Sequence, residues 1–131
     1  MNSIYAANQT SQAVTAGGSP AIGSAVRKGG CAFRMTTTGV EAVCCGSVSI
    51  DAGVTVAPTA EGTVTLALLR NGTAVPGATA SAQAAAGAAV ALSVSAIAKG
   101  RYCSYEDDAI FTLQVSAAGT VSNAYMRAMQ L

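Results

Sequence analysis

The densest group of chemically versatile side chains in this 131-residue sequence is the segment Tyr102 to Asp108, YCSYEDD. Three consecutive carboxylates, Glu106, Asp107 and Asp108, are donors that a hard cation such as calcium accepts. Tyr102 and Tyr105 beside them offer faces on which a sugar or a partner loop could stack. Consecutive carboxylates also describe an ordinary solvated loop, and that is the reading preferred here. No metal and no cofactor are expected, and the two tyrosines stand as a candidate ligand loop only.

Elsewhere the ingredients of catalysis are missing. The chain has no histidine, so no Ser-His-Asp or Cys-His arrangement can form and the commonest general base is absent. The other acids, Glu41, Asp51 and Glu61, are dispersed, and no second carboxylate cluster is visible in the sequence. Glycines sit in turn-like contexts, not in a phosphate-binding motif. The cysteines Cys31, Cys44, Cys45 and Cys103 form no C-x-x-C pair, which argues against zinc. They are read as buried free thiols acting as small hydrophobes, with a disulfide from Cys103 to one of the other three as the alternative. An enzyme is not expected. The formal sequons at Asn8 and Asn71 are read as accidental.

The elements that must carry any site are strands. From Val48 to Val56 apolar residues fall at every second position, and Val64, Leu66 and Leu68 repeat the pattern, as half-buried strands require. Asn71-Gly72 suits a two-residue hairpin turn, because both residues tolerate the positive φ that such a turn needs. Pro76-Gly77 predicts a second reversal a few residues on. Asn2 to Ala7 can form a short strand, Ala21 to Val26 reads as another ended by Arg27-Lys28, and Cys31 to Thr36 with Val40 to Cys45 as a hairpin. Helix propensity favours a helix through QAAAGAAVAL. Alternation at Val90, Leu92, Val94 and Ala96 outweighs it, so Gly87 reads as a hairpin tip, and the strand is expected to end near Ile97. Phe111, Leu113 and Val115 resume the alternation, and Val121 to Leu131 closes the chain with Tyr125, Arg127, Met129 and Leu131 on one face.

About eight to ten strands with no helix predict one all-β, antiparallel sandwich or jelly-roll domain over residues 1–131. Its composition is unusual: 51% of residues are hydrophobic and only 10% charged, less than half the charge of an ordinary soluble domain. So bare a surface predicts an oligomer. Net charge is +1 and the basic residues are scattered, which excludes a nucleic-acid stripe. No run of about 18 apolar residues exists to span a membrane, and the N-terminal MNSIYAANQTSQ lacks the regions of an export signal.

The stretch APTAEGTVTLALLRNGTAVPGATASA (Ala57 to Ala82), the run AVALSVSAI, the closing VSNAYMRAMQL and the opening SIYAANQTSQAV together resemble small jelly-roll proteins of phages and prophages of gut Firmicutes. Those are similar in turn to the globular head of complement component one q, tumour necrosis factor and the tip domain of Bacillus exosporium filaments. The L-x-[KR]-N-G-x-x-[VI]-P-G core, Leu68 to Gly77, is the most specific part of the match. The resemblance implies a ten-strand, TNF-like jelly roll that assembles as a threefold homotrimer, with the first and last strands near the axis. The exosporium proteins carry a collagen-like stalk, and no Gly-X-Y repeat occurs here. The domain begins at Met1, which leads us to expect a whole protein rather than a filament tip.

The expected function is a virion structural protein, a trimer that decorates or cements a bacteriophage capsid built from a separate major capsid protein and is made in the bacterial host cytoplasm. Met1 to Gly18 is the expected capsid-contacting arm, with Asn2, Ser3, Ile4 and Tyr5 at its start. One alternative is a trimeric receptor- or glycan-binding tip of a fibre or baseplate, using the Tyr102 to Asp108 loop on a host-surface glycan. Another is a spore or bacterial surface structural protein.

Overall fold

The computed structural model describes residues 2–43, 46–100 and 109–131. Among the described residues there are eleven strands and no helix: β1 (Ser3–Asn8), β2 (Gln12–Val14), β3 (Ser24–Gly29), β4 (Phe33–Met35), β5 (Gly39–Ala42), β6 (Ser47–Pro58), β7 (Gly62–Arg70), β8 (Thr73–Ala84), β9 (Val90–Lys99), β10 (Ala109–Val115) and β11 (Gly119–Gln130). They form two antiparallel sheets. The first runs β3-β1-β11-β6-β9, with β2 also pairing to β11; the second runs β4-β5-β10-β7-β8.

The core fills the space between the sheets. Val48, Ile50, Ala52, Val54 and Val56 of β6 all point inward and are buried, as their alternation demands. From the opposite sheet Leu66, Leu68, Phe111 and Leu113 meet them, and no polar or charged residue is buried among the described residues. Stacked sheets lie about 10 Å apart, a gap these branched and aromatic side chains can fill.

The β7–β8 hairpin forms as its residues dictate. Asn71 and Gly72 have φ of 51° and 83°, and Arg70 pairs with Thr73 across them. The turn is also tied to β10: Asn71 N–H donates to the Ile110 carbonyl, and the Asn71 side-chain oxygen accepts from Ile110 N–H, both at 2.8 Å. Nothing lies within 4 Å of where a Gly72 Cβ would stand. Gly72→Ala should therefore cost only the left-handed penalty, about 1–2 kcal/mol, read as a lower urea midpoint with an unchanged fold.

Four expectations are corrected. Pro76-Gly77 does not reverse the chain. Ala67 pairs with Thr79 and Leu69 with Ala74, so residues 75–78 bulge opposite Leu68 while β8 runs on. β8 is an edge strand, where a proline that lacks an N–H costs no ladder bond. Gly87 is not a hairpin tip either, because β8 pairs with β7 and β9 with β6, so residues 85–89 arch from one sheet to the other. Gly87 N–H anchors that arch on the Pro58 carbonyl at 2.7 Å. The third strand begins at Ser24 and contains Arg27 and Lys28, which pair with Tyr5 and Ile4, and β9 continues to Lys99. In each case pairing with a distant strand, rather than local composition, sets the limits of the element.

At the N-terminus residues 3–8 form the short strand expected there, placed inside the first sheet and hydrogen-bonded to β3 on one side and β11 on the other. Ile4 and Ala6 belong to the core. Asn2 is a clamp: its side chain donates to Gln130 Oε1 at 2.6 Å and accepts from Cys31 N–H at 3.2 Å.

Candidate interaction face

The outward face of the first sheet is assembled row by row from its register. One row reads Arg27, Tyr5, Arg127, Asp51, Ser95; the next along the strands reads Ala7, Tyr125, Gly53, Ser93. A third, on the other side, reads Ser3, Met129, Ser49, Ile97. Small hydroxyl residues thus surround two tyrosines, one methionine and one isoleucine, and only three charged side chains stand in these rows.

Two of those charges are already paired. Arg127 donates a short hydrogen bond to the Asp51 carboxylate from the adjacent strand. The rings of Tyr5 and Tyr125 lie 6.5 Å apart between centroids, tilted at 55°, an edge-inclined contact favourable for aromatic pairs. Gly53 makes room for this group: a Cβ there would stand 2.7 Å from Tyr125 Cε1 and 2.9 Å from the Leu92 carbonyl. Tyr5, Asp51, Tyr125 and Arg127 together line a shallow concavity of about 330 Å³.

Apolar exposure is concentrated on this sheet. Of the five large hydrophobic residues exposed among the described residues, Tyr5, Val26 and Ile97 lie in its strands and Leu131 follows β11 directly; Ile110 alone belongs to the other sheet. A second cleft, about 480 Å³, opens between the start of β8 and the end of β9 and is lined by Ala74, Val75, Pro76 and Ile97 among others. There Arg70 bridges the sheets by donating to the carbonyls of Lys99 and Gly100 at 2.7 and 2.8 Å.

The sites expected from sequence are distributed differently. Tyr102, Tyr105, Glu106, Asp107 and Asp108 lie outside the described residues, as do Cys44, Cys45 and Cys103. Cys31 is described, and it is an exposed free thiol rather than a buried one. Among Asn2, Ser3, Ile4 and Tyr5 only Tyr5 presents a large side chain outward, since Ile4 is 1% exposed. Asp51, Gly53, Ile97 and the partnership of Tyr125 with Tyr5 were not singled out. Alternation places Asp51 and Gly53 on the solvent side of β6, but nothing local says that β11 lies next to β6 and β1 next to β11. Among the described residues no group of three or more potential metal ligands occurs.

No protein-family model matches the sequence. No curated protein matches it either. Solved structures do match in fold. Murine APRIL superposes with a TM-score of 0.73 at 9% identity, covering 99% of this chain and 98% of that one. The globular domain of zebrafish complement 1qA protein gives 0.73 at 7%, covering 100% and 98%. PRD1 vertex protein P5 gives 0.63 at 14%, covering 100% of this chain and 73% of its own. Two antiparallel sheets in this order, superposing end to end on such domains, make the chain a jelly roll of the TNF/C1q-like fold.

Proposed function

We propose that this protein is a virion structural protein, a homotrimer that decorates or cements the head of a bacteriophage. The observation that carries the trimer is the face of the first sheet, where apolar side chains are exposed and charge is scarce. A monomer with such a face is prone to associate, and a closed ring hides it. The TNF/C1q-like fold supports the same assembly, since the resemblance read from the sequence implies a threefold homotrimer. The likeness to a vertex protein over the full length of this chain supports a place on a virion. In this reading the major capsid protein is the partner, and a rigid trimer clamps neighbouring capsid subunits by shape complementarity. Nothing in the role calls for catalysis.

Ile4 and Ala6 are used in the core, so β1 contributes to capsid contact only through its outward residues and the loop beyond it, Gln9 to Ser11. The test is the mass of purified protein by light scattering, followed by cosedimentation with phage heads that lack it. Trimers that saturate such heads are expected. A trimer that ignores heads but binds host-cell glycans would transfer the role to a receptor-binding tip, and a monomer would overturn the assembly.

A further inference from the structure

Strand β3 is an edge of the first sheet that lies open on both faces. It pairs with β1 alone, so the backbone N–H and C=O groups along its far side meet no strand among the described residues. Every residue from Ser24 to Lys28 is exposed, including Ala25 and Lys28, which stand beside the buried Ala6 and Ile4 and share their inward side. The second sheet therefore leaves that side of β3 uncovered. Val26, 64% exposed, is the extra residue of a bulge opposite Tyr5 and Ala6. Arg27 and Lys28 are consecutive, so one lies beside Tyr5 on the outward side and the other beside Ile4 on the inward side. Among the described residues no carboxylate pairs with either cation, and β1 and β3 themselves contain none.

We propose that β3 takes up an extended acidic segment of a partner protein, which joins the first sheet as a further strand and sets two consecutive carboxylates against Arg27 and Lys28. The inference goes beyond the trimer reading and does not depend on it. Charge complementarity selects the occupant. Consecutive residues of an added strand face opposite sides of the sheet, so an Asp-Glu pair offers one carboxylate to each cation while the backbone pairs with the open edge. The six residues of β3 give about 20 Å of edge for that pairing. A second copy of β3 does not fit, because two such strands side by side collect four cations and no carboxylate; an inward-pointing lysine is a device that keeps an edge from pairing with its own kind. The other edges are less suited. β4 is three residues long and its Arg34 is paired with Glu41, β8 carries Pro76 within its bulge, and the one cation of β9 is its last residue, Lys99.

Strand addition has a signature that simple charge attraction lacks. The probe is a short fluorescent peptide of β-branched residues with Asp-Glu at its centre, and its binding to the full chain is read by fluorescence anisotropy. The same peptide with Lys-Arg at its centre should bind at least about tenfold more weakly. Two further versions carry N-methyl groups on every second backbone nitrogen, one in each phase. An added strand turns only alternate N–H groups toward the edge it joins, so one phase should abolish binding and the other should leave it. Arg27→Glu combined with Lys28→Glu should exchange the preference from the Asp-Glu to the Lys-Arg peptide, with an unchanged urea midpoint because both side chains are exposed.

Phase-dependent loss together with the exchanged preference is the expected result. Absence of binding by the Asp-Glu peptide overturns the proposal. So does binding by both N-methylated phases alike with displacement by inorganic polyphosphate, since the cations would then attract any anion without a strand being added. Should the reversed variant fail to fold, Arg27→Gln combined with Lys28→Gln decides: it should lose the Asp-Glu peptide without gaining the other, and retained binding refutes the role of the two cations. The mass of the protein by light scattering tests the trimer independently, so either reading can fail while the other stands.

Discussion

A chain lacking residues 1–8 is expected to lose its cooperative fold. β1 lies between β3 and β11, so its removal strips β3 of its partner strand and bares the edge of β11 from Ala124 to Met129. Ile4 leaves the core with it, a loss that by itself costs about 2–5 kcal/mol at comparable buried sites, against a total stability of about 5–15 kcal/mol. The ladder from Ser3↔Met129 to Asn8↔Ala124 is lost as well. Urea unfolding followed by circular dichroism should show a broad, non-cooperative change. A truncated chain with a sharp transition and a normal midpoint would sink this account of β1. The result also governs how a deletion is read on heads: loss of binding would report an unfolded protein, not a missing contact. Tyr5→Ser is the informative variant there, since it alters the outward side of β1 and spares Ile4.

The second large effect belongs to Phe111. It is wholly buried in β10, the central strand of the second sheet, and with Phe33 is one of the two phenylalanines of the core. Phe111→Ala should lower stability by about 3–5 kcal/mol, because the cavity it opens is walled by strands that cannot collapse far. Its neighbour Ile110 points to the opposite face and is partly exposed, so Ile110→Ala should cost no more than about 1 kcal/mol. Urea midpoints for the pair provide the comparison. Equal losses would mean that the inward and outward faces of β10 are wrongly assigned.

These contrasts matter for function because this fold uses the two sides of one strand for different purposes. In β1, β6 and β11 the inward residues hold the sandwich together, while Tyr5, Asp51, Tyr125 and Arg127 on the other side form the recess. Substitutions on the outer side should change assembly while leaving the core packing intact; those on the inner side should disturb both. Gly53 is the exception. Its missing side chain is what lets Tyr125 lie over β6, so a substitution there would disturb the outer face from within the strand.

Much of this was legible from local pattern. Period-two alternation located β6, β7 and β10 with their buried faces, because a strand that is wet on one side must alternate; in β11 it grouped Tyr125, Arg127 and Met129, which form the outward side, while Ala124, Met126 and Ala128 are buried. Asn71-Gly72 marked its turn because few residues other than glycine and asparagine tolerate two successive positive φ angles. The low charge pointed to association before any face was known. What local pattern could not supply is which strand lies beside which. Pro76-Gly77 and Gly87 carry turn chemistry, yet one is a bulge and the other an arch between sheets, since ladder partners far away in the chain decide whether a flexible dipeptide reverses direction. The opening residues read as a short strand, but nothing in them says that its neighbours are β3 and, more than a hundred residues later, β11. The recess exists only because three distant segments adjoin. The sequence by itself determined strand class, inward faces and a surface in want of cover. Only the tertiary structure decided where on that surface the recess stands, because register between remote strands is set by the packing of the whole sandwich.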